Sequence, residues 1–516
     1  MKRVSTFTTW LLAALLLLVP VAPIAARADD AQALLAKHRA FVGWQYGDGS
    51  VQSLQLDREY TDASGKLAQR SHEWRLGLAY RRDSRAVKGS NGGGSTGFTG
   101  NIFWTTSPNG FTMPVIGDNA KYYLAIDVLF MEGSTELPAT VQGSATVDGR
   151  SAEILRIAMN GALPFDVYED PQTGAYLKAV IDPGGQLETT INVRSYADLA
   201  PGKKMIGAWS FGTDKGTYNY TKLTLNSAVS PGDLHPPAPS ATWTFANGQT
   251  FPIRVTDDRI YLDATVNGVA GRFILDTGAS SIALTDHFAD RAHVKTVDHS
   301  TNFGIGGVTK SLIRKADTVT VGGNTLSNVV VSSLNVSLDD KKNYENVDGL
   351  MGFDLFAGAI VDLNLSDHAM RITPPTAAAD GHGGYPMTPD LTDGVPTVPV
   401  KLDDKLSIDA VLDTGGSDLV MLSNQVEDHG VHLIVNQDNT FLNGNMVGRG
   451  VGGDEMLRCG PLARLAVGPF QYTGVEACES TNWGLHDGLV GYDFLKHFDY
   501  VFDYPHGVMY MIPHKE

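Results

Sequence analysis

Apolar residues follow three different patterns along this chain. From Trp10 to Ala25 they form an almost unbroken run, interrupted only by Pro20 and Pro23. From Ala33 to Val42 they fall at helical spacing, with Leu34, Leu35, His38, Phe41 and Val42 on one face, which predicts an amphipathic helix. Farther on they alternate with polar residues between turns, the mark of half-buried strands. Tyr168 to Leu177 reads as a hairpin around Asp170-Pro171-Gln172-Thr173-Gly174, and Asp182-Pro183-Gly184-Gly185 as the next turn. One helix and a meander of strands are therefore expected over 29–227.

The first run has the build of an export signal. Lys2 and Arg3 precede it, and Ala26-Arg27-Ala28 supplies a small-x-small cleavage site. The run is shorter than the roughly 20 residues of a membrane span. No cysteine stands nearby for lipid attachment. A signal peptide over 1–28, cleaved after Ala28, predicts a periplasmic or secreted protein.

A second boundary is the run Ser230-Pro231-Gly232-Asp233-Leu234-His235-Pro236-Pro237-Ala238-Pro239-Ser240. Its prolines resist both helix and central strand, so 228–244 reads as a stiff linker. Beyond it the chain repeats itself. Phe273-Ile274-Leu275-Asp276-Thr277-Gly278-Ala279-Ser280 returns as Ala410-Val411-Leu412-Asp413-Thr414-Gly415-Gly416-Ser417. Gly304-Ile305-Gly306-Gly307 returns as Gly450-Val451-Gly452-Gly453, and Asp348-Gly349-Leu350-Met351-Gly352 as Asp487-Gly488-Leu489-Val490-Gly491. Three matched stations in the same order mark a duplication, with one lobe over 245–376 and another over 385–516, joined through 373–386. Two copies are too few for a solenoid, so they should pair about a pseudo-two-fold axis.

Composition narrows the function classes. The 57 acidic and 40 basic side chains give a formal charge of −17, which argues against nucleic-acid binding. The 56 glycines and 24 prolines fit a mainly β protein with many turns. Cys459 and Cys478 are the only two cysteines, so zinc ribbons and disulfide scaffolds are excluded. They flank a turn at Gly468-Pro469. A two-residue turn there sets them opposite one another, in reach of a structural disulfide, whereas a register slip by one residue would put them on opposite faces. No metal site is legible, and no H-E-x-x-H helix occurs among the 14 histidines. Gly93-Gly94-Ser95-Thr96-Gly97 formally fits a nucleophile elbow but lies in a glycine-rich run from Gly89 to Gly100, which reads as a mobile loop.

The informative chemistry is an Asp at the end of a buried apolar strand, followed at once by Thr-Gly. A single carboxylate held near the interior is costly. Two brought together across a two-fold axis can hold one proton between them, because like charges that close do not both ionise. The ionised member can then take a proton from water while the protonated member donates to a substrate carbonyl.

At these residues the chain resembles the retropepsin-like aspartic peptidases of the pepsin/retropepsin clan, duplicated in one chain, over about 245–516. Leu350-Met351-Gly352 and Leu489-Val490-Gly491 look like that family's later hydrophobic-hydrophobic-Gly element, which packs beneath each catalytic loop. The resemblance implies Asp276 and Asp413 as the catalytic dyad, with Thr277, Gly278, Thr414 and Gly415 supporting the loops. It implies flap hairpins at Gly304, Gly306 and Gly307 or at Gly450, Gly452 and Gly453. Both loops lie in one chain, so no obligate homodimer is expected. The family's shared-proton mechanism needs no cofactor, and its substrates are peptides or unfolded proteins.

Two departures matter. Pepsin-like enzymes carry a hydroxyl residue after Asp-Thr-Gly, whereas Ala279 and Gly416 stand here, so neither carboxylate gains that hydrogen bond. A less acidic dyad follows, with an optimum nearer pH 5 than pH 2, roughly. The flaps also lack pepsin's tyrosine. The N-terminal region, by its architecture and its Asp-Pro-x-Thr-Gly hairpin, is similar to the half-barrels of periplasmic lipoprotein carriers. That likeness implies a hydrophobic ligand and no specific residue; a β-rich accessory domain without a ligand is the alternative. The expectation is an exported aspartic endopeptidase: a mainly β, two-lobed acid-protease unit behind a β-rich domain with an N-terminal helix. The alternative is a non-catalytic peptide- or lipid/lipoprotein-binding protein.

Overall fold

The structure is a computed structural model that describes residues 24–45, 47–87, 93–131, 137–185, 187–212, 215–304, 307–335, 338, 346–416, 420–423, 431, 446–450, 453–480 and 487–514. Most of the expected export segment, 1–23, lies outside them, and the first helix, Ile24–Val42, begins ahead of Ala28.

Thirteen strands between residues 53 and 225 form one antiparallel sheet. Six come from 53–115 and seven from 139–225, each set a simple meander. The sets join where Ser53–Thr61 pairs with Thr217–Leu225, Leu54 opposite Leu225 and Tyr60 opposite Tyr218. Ala31 and Leu35 of the first helix pack into the sheet's core, and His38 stacks on Tyr176 with ring centroids 3.5 Å apart. A second helix, Gly117–Phe130, links the meanders, where only one helix was expected. Its Tyr122, Tyr123, Ile126, Val128 and Phe130 are strand formers that blur the helical period. Burial of Ala125, Val128 and Leu129 and the contact of Phe130 with Trp209, 4.6 Å between centroids, override that propensity.

The glycine-rich run is also corrected. Gly94–Phe98 is a strand between Ala79–Ala86 and Phe103–Thr106, not a loop. Gly97 is required there because a Cβ would sit 2.4 Å from the Trp104 ring. No helix follows the strand, so the nucleophile-elbow context is missing.

In the duplicated region the strand ending at each Asp-Thr-Gly runs parallel to the later apolar element. Val269–Leu275 pairs with Gly349–Met351, and Leu406–Leu412 with Gly488–Val490. The lobes hold a nine-stranded and a seven-stranded sheet. They are not merely tethered through 373–386, because a third, six-stranded sheet takes strands from both. At its centre Ile360–Asn364 of the first copy pairs with Phe498–Asp503 of the second, Val361 opposite Phe502. One large apolar core spans both copies, with a smaller separate cluster in each. Cys459 faces Cys478 across the hairpin of Gly453–Val467 and Phe470–Ser480, and the two are joined by a disulfide.

The proline-rich segment is laid against both parts of the molecule. Thr242–Thr244 is a strand on the first-lobe sheet, and the Ser240 and Ala241 N–H groups donate to the Asn109 carbonyl. Asn109 belongs to the turn before Thr112–Val115, and Phe111 and Met113 from that turn and strand enter the core of the duplicated region.

Candidate functional site

Each Asp-Thr-Gly loop is fixed by the parallel strand beneath it. The Asp276 N–H donates to Met351 O at 3.1 Å, and the Asp413 N–H to Val490 O at 2.9 Å. A second matched pair closes each loop: Phe353 N–H to Ala279 O at 2.9 Å, and Tyr492 N–H to Gly416 O at 2.7 Å. The duplication seen in the sequence is thus a duplication of hydrogen bonds.

The two threonines lock the loops together. Thr277 Oγ1 donates to Leu412 O at 2.6 Å and accepts from the Thr414 N–H at 3.0 Å. Thr414 Oγ1 donates to Leu275 O at 2.8 Å and accepts from the Thr277 N–H at 3.1 Å. Both threonines are buried, and all four bonds cross between lobes. Such a reciprocal set leaves neither loop free to move without orphaning buried donors.

Glycine is needed at the next position because the opposite carboxyl lies against it. A Cβ on Gly278 would sit 2.4 Å from the Asp413 carboxyl carbon, and one on Gly415 would sit 2.3 Å from that of Asp276. The two acids therefore stand face to face, each over the other loop. Burial, then the Asp413 charge and a hydrogen bond to it, push the Asp276 carboxyl well above the ordinary range, although the Gly278 and Ala279 N–H groups pull the other way. Asp413 accepts from the Gly415 N–H at 2.8 Å. One proton held between two carboxyls is the state this environment favours.

Of the glycines expected in flaps, Gly304 pairs with Gly307 and Gly450 with Gly453. Gly306 and Gly452 lie outside the described residues. Among the described residues no group of three or more His, Cys, Asp or Glu side chains converges as a metal set would.

The sequence reading missed two contributors. Arg259, in the turn before Ile260–Val266, donates from Nη1 to Gly415 O at 3.1 Å and so reaches the other lobe's loop. Asp354 is fully buried and accepts from the Ile282 N–H at 3.1 Å, just beyond the first loop. Its matched residue Asp493 is exposed and ion-paired with Lys496. An Asp in a Gly-x-Asp triplet after the apolar element was visible in both copies, but nothing in the sequence distinguished their surroundings.

No curated protein matches the chain. Among solved structures it is similar to a DUF1329 family protein from Desulfovibrio piger, with 11% identity and a TM-score of 0.30, over 40% of this chain and 97% of that one. It is likewise similar to a LolA superfamily protein from Nitrosomonas europaea, with 11% identity and a TM-score of 0.29, over 39% of this chain and 94% of that one. The aspartyl protease family model matches twice, at residues 262–355 and 398–494. The C-terminal part of the chain is thus a duplicated match to the aspartyl protease family, one copy per lobe and one Asp-Thr-Gly loop in each.

Proposed function

We propose that the chain is an exported aspartic endopeptidase in which Asp276 and Asp413 act as one catalytic pair. The observation that carries this reading is the packing of each carboxyl against the other loop's glycine. A binding clamp has no use for two acids forced together at such electrostatic cost. In the proposed reaction the ionised carboxylate removes a proton from water, and the resulting hydroxide adds to the peptide carbonyl carbon. The protonated partner gives its proton to the carbonyl oxygen, forming a tetrahedral diol. The carboxyl that took the water proton then passes it to the amide nitrogen, the C–N bond breaks and the amine leaves, and the other carboxylate recovers a proton from a diol hydroxyl. Thr277 and Thr414 hold the geometry, and no cofactor enters. A cleft between two β lobes suits an extended peptide segment bound by strand-like hydrogen bonds. The expected leader and the disulfide both suit an oxidising compartment outside the cytoplasm.

The test is proteolysis of an unfolded protein and a peptide mixture across pH 3 to 8. Asp276→Asn and Asp413→Asn should each lose at least about a hundredfold in rate while remaining folded. The wild-type optimum should lie nearer pH 5 than pH 2, roughly, since burial raises Asp276 and the positions directly after Asp-Thr-Gly are Ala279 and Gly416, neither with a hydroxyl. A profile peaking near pH 2, or activity surviving either substitution, would overturn this assignment.

A further inference from the structure

The two lobes offer an internal control, since matched residues with different surroundings reveal what one lobe has that the other lacks. The aspartate two residues after the apolar element's glycine is such a pair. Asp493 pairs with Lys496 at the surface, its side chain 56% exposed. Asp354 is 0% exposed, and Oδ2 holds the Ile282 N–H. Its Oδ1 is buried as well, and burial pushes the carboxyl up to about 6 while the nearby Asn109 side chain pulls the other way.

Asn109 comes from the thirteen-stranded unit, 245 positions before Asp354, and is itself 0% exposed. Its side chain makes a two-way bond with one backbone position of the first lobe: Nδ2 donates to Val330 O at 2.9 Å, and Oδ1 accepts from the Val330 N–H at 2.7 Å. Two residues on, the Ser332 N–H donates to Ile282 O at 3.0 Å. The arm from Asn109 through Val330 and Ser332 therefore ends on the Ile282 carbonyl, and Asp354 holds the N–H of that same residue. Phe111 reaches the other end of the short helix Asp354–Ala357, where a Cβ on Gly358 would meet its ring at 2.3 Å.

We propose that the Ser107–Phe111 turn of the N-terminal unit is a positioning wedge for the first catalytic loop, with Asn109 the positioning residue that holds the Ala279–Ile282 segment behind Asp276. The second loop has no counterpart of this wedge among the described residues. The two loops thus share matched backbone and threonine bonds but differ in what supports them, and the N-terminal unit is a working part of the peptidase rather than a detachable segment. The catalytic consequence rests on the proposed peptidase reading. The mechanical one does not.

The test compares hydrogen–deuterium exchange of segments 276–285 and 406–416 in the full chain, for wild type, Asn109→Ala, Asn109→Asp and Asp493→Asn. Asn109→Ala should speed exchange in 276–285 by about tenfold or more while leaving 406–416 unchanged. Asp493→Asn should change neither. Asn109→Asp keeps the shape and can still donate to Val330 when protonated, so its 276–285 segment should stay closed near pH 4 and open near pH 7. Where peptidase activity is measurable, Asn109→Ala should lower kcat about tenfold with KM little changed. An unchanged 276–285 segment, or exchange rising equally in both segments, would overturn the wedge whether or not any substrate is cut. A wedge verified by exchange in a chain that cleaves nothing would instead count against the peptidase reading alone.

Discussion

At the scale of single residues, the site is a set of atoms that tolerate no substitution because something already occupies the space. Gly278 and Gly415 are glycine because a carboxyl stands where a Cβ would go. This much was legible, since Asp-Thr-Gly appears twice in a duplicated frame and only a paired arrangement makes two buried acids tolerable. Arg259 and Asn109 were not legible. Each acts through a backbone atom in a distant part of the chain, and backbone acceptors leave no trace in a sequence. Buried charge also stands outside the site. Glu169 is 0% exposed, and neither of its carboxyl oxygens has a partner. Burial pushes it to about 8, against the opposing pull of Lys37. Because its folded pKa is raised, the protonated carboxyl favours the fold fully below about pH 4.5, and that contribution is lost as pH rises through 8. Glu169→Gln should leave stability nearly unchanged at pH 4 and raise it by pH 8.5, on the order of 3 kcal/mol. Denaturant melts at the two pH values decide this, and an equal shift at both would refute it.

At the scale of elements, local patterning was a good guide where one face of a strand or one turn set the outcome. The hairpin around Gly468-Pro469 is the clearest case, because a two-residue turn leaves a single register and that register sets Cys459 opposite Cys478. The bridge closes a short loop beside Val420–Ser423, which runs parallel to Phe470–Ser480 with Met421 opposite Cys478. Reduction, or Cys459→Ser with Cys478→Ser, should cost about 2–4 kcal/mol and lower the melting temperature without unfolding the chain at room temperature. A melting curve that does not respond to reductant would contradict this. Patterning failed at Gly117–Phe130 and Gly94–Phe98. The helix is built from strand-forming side chains that only the Trp209 face of the sheet makes worth burying. The strand is rich in glycine, and its neighbours on both sides, together with the Trp104 ring lying over Gly97, hold it extended.

At the scale of the whole molecule, the separate units of the sequence reading become one interlocked body. The six-stranded sheet takes strands from both copies, and Phe111 and Met113 from the N-terminal unit, 7% and 3% exposed, fill the core of the duplicated region. Residues 245–516 produced alone should therefore expose an apolar pocket, bind a hydrophobic dye and melt several degrees below the full chain. Removing two large buried side chains costs a few kcal/mol, roughly. Identical melting of the two proteins would show that the docking carries no stability.

The sequence by itself determined the duplication, the two acids, the threonines beside them and the mainly β character, because each is written in short, repeated patterns of residue type. Only the tertiary structure decided which buried aspartate is supported and by what, how the two copies share a sheet, and where the N-terminal unit docks. Those outcomes depend on contacts between backbone and side chains from 72 to more than two hundred residues apart. Such contacts are selected by which surfaces fit together and which buried polar groups find partners, and no local stretch of chain encodes that on its own.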